Sequence, residues 1–466
     1  MRLYNTLTRD ISEFTAICGN TVKMYTCGPT VYHFAHIGNL RTYIMEDILE
    51  KVFVYNGYNV KRVMNITDVG HLTSDADSGE DKMLKGALRE HKSVMEIAEF
   101  YTDHFKNDCK RLNIKWPETV IPATKEIDEY IKVISKLLEK GYAYISGDNV
   151  YFDTSKLDNY YKLTNHDADS LLVGVRDDVL EDGNKKNKTD FVLWFTKSKF
   201  LNQELKWDSP WGVGYPGWHI ECSCISMKYL GDTLDIHCGG VDNIFPHHTN
   251  EIAQSESYTG KKWCNWWFHS EHLNDKSGKM SKSRGDFLTL DLLIEKGYNP
   301  LVYRLFCLQS HYRKTLEFSF EALDNTNNSY NKLKAKILEL NDNNNKIDNN
   351  LVSIYKSKFK DCLNDDLNTA SALTVLYDML KDKSLNDESK LYLVKDFDSV
   401  LSLDLLKHAD DDIDSDLEKY ILDMIEKRRI YKENKEYDKA DSIREELNSK
   451  GIIIKDTREG TIYKIG

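Results

Sequence analysis

The sequence has no apolar run long enough to span a bilayer, and its N-terminus has no apolar segment like that of a secretory signal peptide. Its nine cysteines are an odd number, they are scattered, and none belongs to a Cys-x-x-Cys pair. Thiols in this pattern, without a secretory context, are typical of reduced cysteines in a cytosol. We therefore expect a cytoplasmic protein that does not bind a membrane.

The chain also lacks an excess of positive charge, since its formal net charge is −12 over 466 residues. This charge argues against indiscriminate binding to nucleic acids, although local basic patches can still bind one particular RNA. With 41% hydrophobic and 30% charged residues, the composition is that of an ordinary globular protein. The length predicts about three domains. There is no internal repeat, and the Asn-rich residues 341–350 and Asp-rich residues 410–416 predict solvated loops or linkers.

Residues 275–285 are rich in glycine, serine and cations and read Asp-Lys-Ser-Gly-Lys-Met-Ser-Lys-Ser-Arg-Gly. Such a segment cannot bury itself, so it predicts a surface loop. Lys279 and Lys282 are three residues apart, and both could reach a polyanion. The small residues let backbone N–H groups approach phosphate oxygens closely. On this segment alone, a merely solvated loop remains the alternative.

Residues 21–57 predict a strand, a turn and a helix. A short buried strand around Met24 ends before Cys27. The helix then follows from apolar residues at every fourth position, namely Leu40, Ile44, Ile48 and Val52. His36 and Asn39 therefore lie at a strand-to-helix turn, where the positive end of the helix dipole favours anions.

A second strand over residues 60–66 completes a βαβ unit, whose ligand site lies at the carboxyl ends of the strands. We expect Thr67 and Asp68 at the rim of that site, with capping of the next segment as the alternative role of Asp68. Residues 206–270 again alternate strands and helices, with one helix beginning at Trp218 and a turn holding Asp242. The fold predicted is α/β, with a Rossmann-type doubly wound parallel sheet.

Four residues could form a metal site: Cys27, Cys222, His247 and Glu251. His247 and Glu251 are four positions apart on a predicted helix, so their side chains point the same way. Both halves of a doubly wound sheet bring such positions to one crevice, and thiolate, imidazole and carboxylate are zinc ligands. By spacing alone the indication is weak, because buried cysteines are more often small apolar residues. His248, Cys224 and Cys238 are competing candidates.

Two short motifs together resemble the signatures of class I aminoacyl-tRNA synthetases. His36-Ile37-Gly38-Asn39 resembles their His-Ile-Gly-His motif, with Asn39 in place of the last histidine, and residues 279–283 match their Lys-Met-Ser-Lys-Ser motif in full. Within that class, four further segments resemble the cysteinyl-tRNA synthetase family: Cys27-Gly28-Pro29-Thr30-Val31-Tyr32, Asn65-Ile66-Thr67-Asp68, Pro216-Gly217-Trp218-His219-Ile220-Glu221-Cys222-Ser223 and Phe245-Pro246-His247-His248-Thr249-Asn250-Glu251. The similarity covers most of the chain.

The resemblance implies a site and a reaction. One Zn²⁺ per subunit would be held by Cys27, Cys222, His247 and Glu251, and the thiolate of the substrate cysteine would add to it. The enzyme would form cysteinyl-adenylate from L-cysteine and ATP, with Mg²⁺ accompanying ATP, and would then charge the 3′ end of tRNA(Cys). We expect these residues to act on ATP: His36, Gly38, Asn39, Asp242, Lys279 and Lys282. Thr67 and Trp218 would contact the amino acid.

The resemblance also implies a domain organisation. Residues 1–115 and 206–275 would form the two halves of the catalytic domain, and residues 116–205 a connective insertion between them. Residues 276–325 would carry the loop with Lys279 and Lys282 (the lysine loop) and a region that contacts the tRNA stem. Residues 326–415 would form a tRNA-binding helical bundle, and 416–466 a small α+β element that recognises the anticodon. A separate editing domain is not expected, because the insertion is short and irregular, and we expect a monomer.

Three other functions remain open. A cysteine ligase of thiol-cofactor biosynthesis shares both signatures and the metal site, but it charges an amino sugar and does not need the C-terminal region. A non-catalytic synthetase-like protein could bind RNA alone, although it would not need the lysine loop. A zinc hydrolase using His247 and His248 would leave residues 279–283 unexplained.

Overall fold

The computed structural model describes residues 1–69, 93–164, 183–197, 205–275, 288–341, 346–407, 415–433, 436–449, 452–457 and 460–465, together with the backbone of residues 278–279. In chain order its strands are β1 Arg2–Asn5, β2 Asp10–Glu13, β3 Thr21–Thr26, β4 Asn59–Ile66, β5 Thr119–Pro122, β6 Ala143–Ser146, β7 Asn149–Phe152, β8 Phe191–Phe195, β9 Tyr215–Pro216, β10 Leu234–Gly240, β11 Cys264–Ser270, β12 Leu273–Asp275, β13 Gly278–Lys279, β14 Leu316–Glu317, β15 Ile452–Thr457 and β16 Gly460–Ile465. Its helices are α1 Ile37–Tyr55, α2 Val94–Arg111, α3 Ile127–Glu139, α4 Trp218–Leu230, α5 Thr249–Thr259, α6 Leu290–Glu295, α7 Pro300–Leu308, α8 Phe320–Leu338, α9 Asn349–Asn364, α10 Thr369–Lys381, α11 Asp387–Leu401, α12 Ser415–Glu433 and α13 Tyr437–Ser449.

The chain forms two compact units, Met1–Leu405 and Leu406–Gly466. In the first unit, the central sheet has the strand order β11-β10-β3-β4-β5, and every neighbouring pair is parallel. The strand order reverses between β3 and β10, so the crevice at their carboxyl ends is the expected ligand site. The predicted doubly wound parallel sheet is thus confirmed. Its edge strand β5 lies a few residues beyond the boundary predicted at residue 115.

The predicted helix after β3 is α1, whose beginning and end follow from local chemistry. The His36 imidazole accepts a hydrogen bond from the backbone N–H of Asn39, and Gly57 ends the helix with a φ of 91°. The predicted apolar stripe is fully buried, but α1 also buries Arg41, Glu46 and other polar residues. Because α1 packs against strands of the sheet and also against α7 and α11, it is a central layer rather than a surface helix.

The segment between β5 and α4 forms an antiparallel sheet in the order β6-β7-β8-β9, with α3 beside it. Strands β6, β7 and β8 lie within the predicted connective insertion at residues 116–205, whereas β9 lies beyond it. The described part is more regular than expected, and residues 165–182 and 198–204 lie outside the described residues. The sheet leads directly into α4 through Gly217, whose N–H donates to the Leu193 carbonyl at 2.9 Å. A Cβ at Gly217 would lie 2.1 Å from the Val192 carbonyl oxygen, so this close approach requires glycine.

The second unit contains α12, α13 and the antiparallel hairpin β15–β16, in agreement with the predicted helix and hairpin. Its core is apolar and consists of Ile421, Met424, Ile443, Leu447, Ile452 and Ile454. None of the helices in the described ranges is long and apolar enough to cross a membrane.

Candidate active site

A cavity of about 270 Å³ opens at the carboxyl ends of β3 and β10. Its lining includes Cys27 from the end of β3, Trp218 from the start of α4, Asp242 after β10, and the turn that begins α1. The two halves of the sheet therefore contribute to one site, as the strand order requires.

The four predicted metal ligands converge at this cavity, which one of them, Cys27, lines. The ligand atoms of Cys27, Cys222, His247 and Glu251 all lie within 4.8 Å of one another. The Cys27 and Cys222 Sγ atoms are 3.9 Å apart, and His247 Nε2 is 2.9 Å from Glu251 Oε1. Cys222 is 1% exposed and Glu251 0%, so these donors meet in the protein interior.

This arrangement fits a zinc ion. Two thiolates that share a tetrahedral zinc, each about 2.3 Å from it, would lie about 3.8 Å apart. The observed separation of 3.9 Å is close to that value. Glu251 Oε1 is buried and makes no hydrogen bond within the described part of the chain, although His247 Nε2 is only 2.9 Å away. An ion between these atoms would satisfy both.

The charges of the site also suit a cation. Burial opposes a charged imidazole, yet the Glu251 carboxylate and the Cys222 thiol raise the pKa of His247 to about 10. Burial would raise the pKa of Cys222, but the hydrogen bond from Cys27 and the positive His247 bring it below its ordinary value. The pKa of Glu251 is lowered because His237 and His247 outweigh the effect of burial.

A second group overlaps the first and contains Cys27, His237, His248 and Glu251. His248 Nε2 is 3.4 Å from Cys27 Sγ, and His237 Nε2 is 2.7 Å from Glu251 Oε2. Burial and neighbouring histidines, His237 first among them, hold the pKa of His248 well below its ordinary value, so its ring is neutral. His248 thus lies beside the site as the competing candidate that sequence reasoning named.

The other two competing candidates, Cys224 and Cys238, belong to neither of these groups of possible metal ligands. Cys224 packs in the apolar core that α3, α4 and α5 share. His237, on β10, was not predicted as a possible ligand. Both faces of this central strand are buried, so burial does not distinguish a histidine that faces the site from the apolar residues beside it.

The turn at the start of α1 lines the cavity with three of the predicted ATP-binding residues, His36, Gly38 and Asn39. Because His36 Nδ1 accepts the Asn39 N–H at 3.0 Å, the neutral ring carries its proton on Nε2. A Cβ at Gly38 would lie 3.0 Å from the His36 ring, so glycine leaves this turn uncrowded. Asp242 also lines the cavity, with Oδ1 3.5 Å from His272 Nε2.

The two residues predicted to contact the amino acid lie in different places. Trp218 lines the cavity, and its ring centroid is 4.4 Å from that of His247, so it packs against one of the predicted metal ligands. Thr67 is 1% exposed, does not line the cavity, and donates its hydroxyl to Glu221 Oε2 at 3.0 Å. Asp68 accepts two hydrogen bonds from Thr124, one from its backbone N–H and one from its hydroxyl.

The predicted lysine loop is only partly described. The backbone of Lys279 pairs with Asn274 in a short antiparallel ladder between β12 and β13. β12 begins at Leu273, which lines the cavity. Lys282 lies outside the described residues.

Comparison with known proteins agrees with this geometry. Residues 13–328 match the family model of the tRNA synthetases class I (C) catalytic domain, and residues 358–397 match the DALR domain. A protein of Treponema denticola named cysteine--tRNA ligase is 45% identical, with 100% of this chain and 99% of that protein aligned. A protein of the same name from Borreliella burgdorferi is also 45% identical, with 100% of each chain aligned.

A solved structure shares the fold. Methionyl-tRNA synthetase of Mycobacterium tuberculosis, bound by methionyl-adenylate, superposes with a TM-score of 0.55 at 15% identity and covers 82% of this chain and 91% of that chain. At this identity the likeness concerns the fold alone. The family assignment follows from the matched catalytic domain and the full-length relatives: the chain belongs to the class I aminoacyl-tRNA synthetases and, within them, to the cysteine–tRNA ligase family.

Proposed function

We propose that this chain activates L-cysteine with ATP to form cysteinyl-adenylate and then transfers cysteine to the 3′ end of tRNA(Cys). The observation that carries the proposal is the convergence of Cys27, Cys222, His247 and Glu251 at a cavity that Cys27 and the His36 turn both line. A thiol-binding site and a phosphate-binding turn then share one crevice, as the joining of cysteine to a nucleotide requires. The full-length relatives named cysteine--tRNA ligase support the same assignment.

Cys27, Cys222, His247 and Glu251 would hold one Zn²⁺ per subunit. When bound, this ion would supply a Lewis acid that favours the soft thiolate of cysteine over the neutral hydroxyl of serine. Shape alone separates side chains that differ by one small group only about 10- to 200-fold, so a chemical criterion is needed to reject serine. Trp218, which covers His247, would exclude water and press the substrate against the site.

In the activation step, an oxygen of the cysteine carboxylate bonds to the α-phosphorus of ATP, and the bond from that phosphorus to the departing pyrophosphate breaks. Such a reaction depends mainly on positioning and on neutralising the phosphate charge. His36, Gly38 and Asn39 would bind the phosphates at the positive end of α1. Lys279 and Lys282 would neutralise charge on the β- and γ-phosphates together with Mg²⁺, and Asp242 would contact the nucleoside.

The ligand set is tested with two cysteine variants. Cys222→Ala should leave the protein without zinc and reduce cysteine-dependent ATP–pyrophosphate exchange by more than about 100-fold, because even the loss of a residue behind a ligand costs roughly 10- to 100-fold. Cys224→Ala is the matched control, since it removes a buried thiol from the same helix but outside both possible ligand groups. A full zinc complement in Cys222→Ala would show that the wrong thiol was chosen.

The role of the loop is tested with Lys282→Ala. We expect the adenylate-forming step to slow far more than cysteine affinity weakens, because the lysine would act on the phosphates. Single-turnover adenylate formation at saturating cysteine measures the first quantity, and the cysteine dependence of its rate measures the second. Normal pyrophosphate exchange in this variant would remove Lys282 from the mechanism.

The molecule that accepts cysteine distinguishes the proposed tRNA ligase from a cysteine ligase of thiol-cofactor biosynthesis. We expect charging of tRNA(Cys) and no ligation of cysteine to a glucosaminyl acceptor. The match of residues 358–397 to the DALR domain and the small unit at residues 406–466 support the tRNA acceptor, because an amino sugar would need neither. Ligation to the sugar without charging of tRNA would contradict the proposal.

A further inference from the structure

A chain of buried hydrogen bonds lies behind the two thiols. The Gly28 N–H donates to Asn65 Oδ1 at 2.8 Å. The amide of Asn65 then donates through Nδ2 to Thr67 Oγ1 at 2.9 Å, and the Thr67 hydroxyl donates to Glu221 Oε2 at 3.0 Å. These bonds join the ends of β3 and β4 to the first turn of α4.

The direction of donation along these hydrogen bonds is fixed by the Gly28 N–H at one end and the Glu221 carboxylate at the other. A backbone N–H can only donate, so the Asn65 oxygen faces Gly28 and its amino group faces Thr67. The Thr67 hydroxyl accepts from Asn65 and therefore turns its own hydrogen to Glu221. Each donor in the network therefore faces an acceptor, so replacing one of these residues breaks the hydrogen bonds on both sides of it.

The network is rigid because it is buried and tightly packed. Asn65 and Thr67 are each 1% exposed and Glu221 is 0% exposed. A Cβ at Gly28 would lie 1.6 Å from the Asn65 carbonyl oxygen, so the backbone at Gly28 is pressed directly against Asn65. A buried polar group that loses its partner is unfavourable, so these residues hold one arrangement.

Each end of the network is adjacent in sequence to a thiol. Gly28 follows Cys27 at the end of β3, and Glu221 precedes Cys222 on α4. Neither Asn65 nor Thr67 belongs to the ligand groups, so any effect on the metal passes through the backbone beside the cysteines.

We propose that Asn65 and Thr67 are positioning residues of the zinc site, which fix the Cys27 and Cys222 sulfurs at their 3.9 Å separation through Gly28 and Glu221. This inference rests on the proposed zinc site. Tetrahedral coordination tolerates little change in that distance, and residues that orient metal ligands typically contribute roughly 10- to 100-fold in metal affinity. The network thus gives Thr67 a role in the site even though it does not line the cavity.

The experiment measures zinc affinity of the full-length protein without cysteine or ATP, by competition with a chelator. Asn65→Ala and Thr67→Val should bind zinc about 10- to 100-fold more weakly than wild type, and Thr67→Ser should restore the affinity because it keeps the hydroxyl. With Co²⁺ in place of zinc, the sulfur-to-cobalt charge-transfer band should shift or weaken in the first two variants and return in the third.

Asn149→Ala is the matched control for general damage. Asn149 is also buried, and its side chain bonds to backbone groups of Thr196 and Lys197 beside the antiparallel sheet. Within the described part of the chain, it belongs to neither group of possible metal ligands and makes no hydrogen bond to Asn65, Thr67 or Glu221. It should lower thermal stability without changing zinc affinity or the cobalt spectrum.

The possible outcomes are distinct. Zinc affinity and cobalt spectra of Asn65→Ala and Thr67→Val that equal those of wild type would overturn the positioning role and leave the zinc site standing. An equal loss of affinity in Asn149→Ala would overturn it as well, because the effect would then be general. If wild type bound no zinc, the site and this inference would fall together.

Discussion

The buried carboxyl of Glu46 predicts a pH dependence of folding that one substitution should remove. Glu46 lies on α1 at 0% exposure, with Oε2 3.2 Å from the Arg62 guanidinium. Arg62 also binds Glu50, which has a second partner in Lys115. Two buried carboxyls therefore compete for one guanidinium. Burial raises the pKa of Glu46 from its ordinary 4.5 to about 8, although Arg62 opposes the shift.

The sign follows from proton linkage. Between pH 4.5 and 8 the folded chain keeps a proton on Glu46 that the unfolded chain has lost, so stability falls as pH rises through this window. At about 1.4 kcal/mol per pH unit, the ionisation lowers the unfolding free energy by about 2 kcal/mol at pH 6 and about 5 kcal/mol at pH 8.5. Glu46→Gln keeps the shape of the protonated acid but cannot ionise. Relative to wild type, it should therefore gain about 3 kcal/mol between these two pH values.

The assay is urea unfolding followed by tryptophan fluorescence, which reports the first unit because all eight tryptophans lie in it. Glu139→Gln serves as the control, since the Glu139 side chain is 69% exposed. Its difference from wild type should not change between pH 6 and 8.5. If the difference between Glu46→Gln and wild type were also constant, Glu46 would be ionised in the folded chain, and the claim that burial outweighs Arg62 would be refuted.

Two further predictions concern buried contacts of the first unit. Arg304→Lys should reduce the unfolding free energy, measured in urea, by about 3 kcal/mol. The buried guanidinium donates to Asp47 Oδ2 at 2.6 Å and to the Leu401 carbonyl at 2.7 Å, and a lysine cannot reproduce both bonds. A change below about 0.5 kcal/mol, typical of a surface substitution, would contradict this role. Gly28→Ala should lose zinc or fail to fold, since its Cβ would lie 1.6 Å from the Asn65 carbonyl oxygen; a native circular dichroism spectrum with a full zinc content would show that the backbone there can move.

Local sequence patterns were enough to predict the central elements. The apolar repeat from Leu40 to Val52 identified α1, and the strands around Met24 and residues 60–66 proved to be neighbouring parallel strands. These patterns succeed because they depend on residues only a few positions apart. The burial of Arg41 and Glu46 on the same helix could not be read this way, because their partners lie on other segments. Arg41 donates to the carbonyls of Glu271 and Lys314, and Glu46 pairs with Arg62 on β4.

In the site too, features that depend on contacts between distant segments could not be predicted from local sequence patterns. Spacing alone could not join Cys27 to Cys222, which are 195 residues apart. The family resemblance identified them, and the fold brings their sulfurs to 3.9 Å. Thr67 was expected to contact the substrate, but its hydroxyl is bonded to Glu221, which is distant in sequence. Asn65 was overlooked for the same reason, because its partner Gly28 lies on another strand.

The central claim is that two protein thiols hold a zinc ion that also receives the thiolate of the substrate. X-ray absorption at the zinc edge tests it most directly, on the full-length protein with and without L-cysteine. We expect two sulfur neighbours at about 2.3 Å without substrate and three after cysteine is added, with no change on adding serine. A sulfur count that stays the same when cysteine binds would contradict the account.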